Sequence, residues 1–456
     1  MKRNSFFHIL DKERIIAKPG FNRWLIPPAA LCIHLAIGQV YAFSVFNLPL
    51  TRIIGIHASA HEDWKLTSVG WIFSIAIVFL GISAAFGGRW LEDAGPRKAM
   101  FFSAVCFSGG FFISAIGVWV HSIILLYLGY GVIGGIGLGL GYISPVSTLI
   151  KWFPDRPGMA TGMAIMGFGG GAMVGSPLAV LLMKYFSSET STGVEMTFLA
   201  MGAMYFCFML AGAFNVRIPP EGWMPAGYTP PSKQKKLVTD KDVHADQAIK
   251  TPQFYLLWGG LCFNVTAGIG VLGQASVMCQ EMFHGNITPL AASGFVGLLS
   301  AANMLGRFFW SSASDYLGRK AIYSIYFILG ILLYSFISFT GWIYSVVLFV
   351  VSYTIIMSMY GGGFATIPAY LKDIFGVMHV GAIHGRLLTA WSVAGILGPV
   401  LVNYIRQYQI DHGVPKASAY TITMFIMAGL LLCGLVCNLC IKPVHKKHHY
   451  MPGGKK

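Results

Sequence analysis

A chain of 456 residues that is 55% hydrophobic and 11% charged, with a mean hydropathy of +0.65, is too apolar for a water-soluble domain of that length. Its formal charge of +15 would suit an acidic partner, but no polar segment is long enough to fold into a nucleic-acid-binding module. The excess is therefore read as membrane topology and contact with lipid headgroups.

The first 23 residues are polar and carry six basic residues, and the apolar run behind them is too long for a signal peptide, so it is expected to remain as the first helix. Runs of about 20 apolar residues, each able to cross a hydrocarbon core of ~30 Å as α-helix, predict spans near 24–49, 67–88, 99–120, 123–150, 159–185 and 196–214. After a polar interruption they resume near 253–277, 290–313, 321–341, 344–370, 387–405 and 419–440. The interruption at 215–252 holds Pro219, Pro220, Pro230, Pro231 and a run with Lys233, Lys235 and Lys236. The expected organisation is an all-α polytopic membrane protein of twelve transmembrane helices. It comprises an N-terminal tail (1–23), a six-helix half (24–214), a central loop (215–252), a second six-helix half (253–440) and a C-terminal tail (441–456). The alternation of a β-barrel is absent. Of the 32 Lys and Arg, 26 fall on the side of the N-terminus, five (Arg52, Lys65, Lys184, Arg406 and Lys416) on the other, and one, Arg307, inside a span. Basic residues near span ends resist translocation, so both termini are expected to be cytoplasmic, in the cell (inner) membrane.

Charge within the spans then points to chemistry. All 17 carboxylates fall in tails, loops or span ends, whereas Arg307 lies eight residues before Asp315, roughly 12 Å deep at ~1.5 Å per residue. A charge at such depth costs about 2.5–3.5 kcal/mol and needs a reason. A guanidinium fork suits a carboxylate ligand; the alternatives are a side chain that snorkels to the headgroups or pairs with Asp315. The eight cysteines lie almost wholly in apolar helix, where thiols act as small hydrophobes, and Cys433, Cys437 and Cys440 share a face without a fourth ligand. No metal, cofactor or enzymatic constellation is expected, since the histidines are scattered and no paired intramembrane carboxylates occur. His34, Gly38 and Tyr41 share one face of the first helix, and Tyr353, Met357 and Tyr360 one face of the tenth. Runs of glycine in the fourth helix (Gly131, Gly134, Gly135, Gly137, Gly139, Gly141) and the fifth (Gly162 to Gly175) allow close helix approach.

The halves repeat. Residues 88–98 (GRWLEDAGPRK) and 311–320 (SSASDYLGRK) each close the loop after the second helix of a half, with Arg97 and Lys98 mapping onto Arg319 and Lys320 at an offset of 222. Lys151 maps onto Lys372, and Gly175-Ser-Pro177 onto Gly398-Pro399, at nearly the same offset. The loop resembles the signature of the major facilitator superfamily. Gly88, Glu92, Gly95, Arg97 and Lys98 fit its first copy, and Asp315, Gly318, Arg319 and Lys320 its second, with Ser311 in place of the opening glycine. The resemblance implies the major facilitator fold, a gating role for these charges, and helix packing by Gly171, Gly175, Pro177, Gly395, Gly398 and Pro399.

Within that superfamily, NMLGRFFW at 303–310, GGGFATIPAY at 361–370 and HGRLLTAW at 384–391 resemble the oxalate:formate antiporter family, which is related to monocarboxylate transporters. That resemblance implies that Arg307 grips a substrate carboxylate and that helices 1, 4, 7 and 10 line the cavity. His34, Tyr41, Tyr142, Asn264, Tyr353 and Tyr360 thereby become candidates for shape and hydrogen bonding, although such residues also satisfy neighbouring helices. Two positions depart from the relatives: Trp391 stands where the oxalate exchanger has a lysine, and Asn303 where proton-coupled carriers have an aspartate. The expected function is secondary transport of a small organic anion, a monocarboxylate such as lactate, pyruvate or formate, by alternating access of the two halves. A proton, for which His34 is the candidate carrier, or a counter-anion would accompany it, and the chain would act as a monomer in the lipid bilayer without nucleic acid. The alternatives are an oxalate or dicarboxylate exchanger and an exporter of amphipathic compounds.

Overall fold

Long helices follow one another along the chain in the computed structural model, which describes residues 6–228, 237–239, 241–272, 275–283, 287, 289–340 and 345–450. Pro230, Pro231, Lys233, Lys235 and Lys236 of the central interruption lie outside the described residues. In order come α1 (Arg23–Leu50), α2 (Leu66–Ala94), α3 (Pro96–Trp119), α4 (Ile123–Trp152), α5 (Pro157–Phe186) and α6 (Val194–Asn215). Next are α7 (Pro252–Leu272, with a further stretch at Ala275–Met282) and α8 (Pro289–Leu317). The series ends with α9 (Arg319–Thr340), α10 (Val346–Phe375), α11 (Val380–Asp411) and α12 (Lys416–Cys440). Ten of these, all but α7 and α8, are long and apolar enough among the described residues to cross a membrane. The architecture is the all-α membrane fold that hydropathy leads one to expect.

Several helices outrun their apolar runs. The second reaches Ala94 rather than residue 88, and the eleventh begins at Val380 rather than 387. A hydropathy window ends where charge begins, but a helix ends where its backbone hydrogen bonds do. Gly95, at φ 85°, stops α2, and Pro96 then opens α3 with a ring that needs no amide hydrogen.

Two compact units form. The first contains Met1–Asp155, Met163–Pro230 and Gly381–Thr389; the second contains Arg156–Gly162, Pro231–Val380 and Ala390–Lys456. The beginning of α5 thus packs in the second unit and the beginning of α11 in the first.

In the first unit the glycines of α4 divide by face. A Cβ on Gly131, Gly135 or Gly139 would strike Ile75, Phe79 and Ala76, or Ser83 and Leu80, all on α2; one on Gly137 would meet the Phe107 backbone of α3 at 2.5 Å. Positions 131, 135 and 139 are one turn apart, which makes them a single stripe. Close packing against α3 accompanies a π-helical stretch, Tyr127–Gly134, inside α4. α1 is likewise irregular: α-helix over Ile26–Ile37, 3-10 over Gly38–Phe46, then α again to Leu50. Its Gly38 sits where a Cβ would overlap the Phe168 carbonyl oxygen of α5.

The second unit repeats that device. A Cβ on Gly270 of α7 would lie 2.8 Å from the carbonyl oxygen of Gly398 on α11, just ahead of Pro399. Two of its buried tyrosines are tied to backbone: Tyr323 donates to Gly363 O and Tyr334 to Ala267 O, each at 2.7 Å. A buried phenol usually finds such an acceptor.

Segments outside the spans are also held. Ala17 N donates to Ile218 O and Ile218 N to Ile15 O, both at 2.9 Å, and Arg23 grips Asp155 through two hydrogen bonds of 2.7 and 3.0 Å. In the second unit Val243 N donates to Phe375 O at 2.8 Å, while Asp242 Oδ1 accepts from Val377 N and Met378 N at 2.8 and 2.9 Å. This part of the central loop therefore caps the end of α10, a contact that no sequence pattern announces.

Candidate functional site

Arg307 lies on α8 with no exposed surface, so it does not snorkel to the headgroups. Its Nε donates to Asn303 Oδ1 at 3.0 Å, one turn earlier, and its guanidinium carbon lies 5.4 Å from the ring centroid of Phe364 on α10. The amide orients the fork without neutralising it, and the ring adds a weak electrostatic hold. Asp315, the nearest acid along the helix, is otherwise engaged: it accepts from Gly158 N, Met159 N and Arg319 Nη2 at 2.8, 2.9 and 2.6 Å.

Gly361 is the reason α8 and α10 come so close, since a Cβ there would overlap Asn303 O and meet Arg307 Cγ at 3.0 Å. One turn of α10 then delivers Tyr360 and Phe364, with ring centroids 5.3 Å apart, and the fully buried Trp391 of α11 packs on Phe364 at a tilt, with centroids 4.4 Å apart. Asn264 of α7 joins this group. It lies 3.0 Å from the position of a Cβ on Gly363, and with Tyr326, Tyr334 and Tyr360 it lines a cavity of about 20 Å³, room for about one water. Arg307, Asn303, Trp391, Tyr360 and Asn264 thus occupy one neighbourhood of the second unit. Tyr353 does not join it: its hydroxyl meets the sulfurs of Met278 and Met424 at 2.9 and 3.2 Å, and its ring packs on Phe349.

The first unit gathers a separate aromatic group. His34 of α1 and Tyr142 of α4, both wholly buried, meet edge-on at 5.5 Å. Phe168 of α5 packs against Tyr142 at 5.3 Å and Tyr41 at 5.1 Å, and His384 of α11 approaches Tyr142 at 5.9 Å. The sequence alone does not single out Phe168, Phe364 or His384. Phe364 carries a signal, its one-turn spacing from Tyr360; His384 opens the HGRLLTAW stretch, but nothing in the sequence sets it against Tyr142, which lies on another helix.

The repeated loop shows paired geometry. Glu92 accepts from Lys151 Nζ at 2.8 Å and from Gly381 N, at the start of α11, at 3.2 Å; Asp315 accepts from Gly158 N at the start of α5. Glu92 to Asp315 and Gly158 to Gly381 are both steps of 223 residues, so a contact has been duplicated along with the motif. A carboxylate at a helix N-terminus is stabilised by free amide hydrogens and the helix dipole. Gly88 touches the Ala382 backbone and Gly318 takes a positive φ of 90°. The basic members differ in use. Arg97 is buried and donates to the carbonyls of Ile9, Phe214 and Val216, Arg319 bridges Asp315 and Asp373, Lys320 caps Leu439 O and Ile441 O, and Lys98 is half-buried. Gly171 touches the α1 backbone at Leu35 and Gly38, Gly175 lies beside Gln39, and Gly395 is buried; Pro177 is internal to α5.

Comparison with known proteins adds the family. The chain is 28% identical to the oxalate:formate antiporter of Oxalobacter formigenes over 385 residues, covering 83% of each chain. It is 21% identical to human monocarboxylate transporter 14 over 97% of this chain and 96% of that one. In structure it resembles the Escherichia coli fucose:proton symporter FucP, with a TM-score of 0.65 over 92% of this chain and 99% of that one at 11% identity. A sequence profile of the Major Facilitator Superfamily matches residues 21–399, and with twelve long helices among the described residues and the twice-built loop contact this chain belongs to that superfamily of membrane transporters, not to the enzymes.

Proposed function

We propose that this transporter carries a small organic anion, a monocarboxylate such as lactate, pyruvate or formate, and that Arg307 binds its carboxylate. The observation that carries the reading is the buried guanidinium of Arg307, held at Nε by the neutral amide of Asn303. A positive charge so placed is stabilised by an arriving anion, and the fork can offer two parallel hydrogen bonds. The names of the oxalate:formate and monocarboxylate relatives support the same substrate class.

Trp391 supports one carboxylate over two. It presents an indole against Phe364 where a second cation would favour a dicarboxylate. Transport proceeds by alternating access, with Glu92 and Asp315 as latches that hold the starts of α11 and α5 and must be released in each cycle. Both termini face the cytoplasm. His34 is the proton carrier if the transporter is a symporter, and anion exchange is the alternative.

Counterflow in proteoliposomes, against a panel of mono- and dicarboxylates with and without a pH gradient, tests this. Saturable monocarboxylate exchange that disappears in Arg307→Ala is the expected result. Undiminished uptake by that variant would remove the site assignment, and preference for oxalate would favour the dicarboxylate reading.

A further inference from the structure

The side of the first unit carries a groove that the transport reading does not use. Helices α1, α5 and α6 enclose about 610 Å³ between Leu35, Val174, Leu178, Met204, Phe208 and Ala211, within the roughly 300–1,000 Å³ that encloses a small ligand. Its rim is open: Val174, Met204 and Phe208 are 60%, 48% and 42% exposed. Val174 and Met204 sit near the middle of α5 and α6, and Phe208 one turn further along α6. At that depth the surrounding medium is hydrocarbon.

Polar atoms unsatisfied among the described residues lie buried beside this apolar groove. Tyr205 lines it, is 8% exposed, and its hydroxyl has no hydrogen-bond partner among the described residues. Gln39 is wholly buried; its Oε1 accepts from the Tyr130 hydroxyl at 2.9 Å, but its Nε2 has no partner among them. The two residues flank Gly175, where a Cβ would lie 3.1 Å from Gln39 Cγ and 3.2 Å from the Tyr205 oxygen. Lipid tails cannot satisfy such groups.

We infer that this groove binds a membrane-dissolved amphiphile with an apolar body and one compact hydroxyl or carbonyl head, the head meeting the hydroxyl of Tyr205. Among the described residues no charged side chain lines the groove, which disfavours a fatty acid or phospholipid head at this depth. The apolar face of a second copy would leave the Tyr205 hydroxyl unmet.

The test uses the full chain in neutral phospholipid nanodiscs, photolabelled with a diazirine analogue of dodecanol and mapped by mass spectrometry. Adducts should concentrate on residues 171–178 and 204–211 and be competed by dodecanol. Tyr205→Phe, which keeps the ring, should weaken competition roughly three- to tenfold, the loss of one hydrogen bond, and Leu178→Trp should fill the groove and remove the adducts. Labelling at Phe86, an 80% exposed site on α2, should not change in either variant. Adducts spread over all exposed helix faces, indifference to Tyr205→Phe, or loss of labelling only on dimerisation would each overturn the proposal. If Leu178→Trp fails to fold, Tyr205→Phe decides alone.

Discussion

Arg307 and Asn303 form a pair whose second member matters as much as the first. Because Asn303 Oδ1 is 3.0 Å from Nε, Asn303→Asp would place a carboxylate against the guanidinium and compete with substrate. The expected outcome is a KM for monocarboxylate raised at least about tenfold, for an ion pair worth ~1.4 kcal/mol or more in a low dielectric, with uptake now dependent on pH. Arg307→Lys should retain a small fraction of uptake, since an ammonium supplies the charge but not the fork; initial-rate measurements over a substrate series check both. A different residue contributes to stability in acid. Burial of Asp63 would raise its pKa, but hydrogen bonds from Ile54 N, Ala60 N and Gly55 N, with His121 nearby, outweigh this and hold the carboxyl below its ordinary value. A depressed carboxyl stabilises the fold above its unfolded pKa of about 3.9, and that contribution is lost as pH falls through the lower folded value. Thermal unfolding of Asp63→Asn in detergent should show a lower Tm than the parent at pH 7 and a smaller difference near pH 3.

At the level of elements, the spacing between helices depends on particular glycines. Gly38→Ala would drive a methyl into the Phe168 carbonyl, an overpacking cost of about 1–3 kcal/mol or more. Gly109→Ala has open space and should be neutral or stabilising by up to about 1 kcal/mol. Melting of the two purified variants, read by tryptophan fluorescence, checks this contrast. The helices themselves are plain in the sequence because hydropathy is a local property. The π stretch of α4, the 3-10 stretch of α1 and the early start of α11 are not, because each follows from what lies against the backbone.

At the scale of the molecule, the duplicated contact links Glu92 with Gly381 and Asp315 with Gly158. Glu92→Gln and Asp315→Asn each remove a charge from a helix start, worth roughly 0.3–2 kcal/mol. Each should lower the maximal rate of counterflow more than it changes apparent affinity, a split that full rate curves would reveal. The sequence by itself determined the membrane class, the succession of helices and the duplication, since each follows from residue type and position along one chain. Only the tertiary structure decided that Tyr353 packs on methionine sulfurs while Tyr360 and Asn264 approach the arginine's neighbourhood. It also decided that His384 meets Tyr142 and that Tyr205 opens onto a lateral groove. The physical reason is that a helix face is readable from periodicity, but which neighbour covers it depends on close backbone approach at glycines contributed by a different helix.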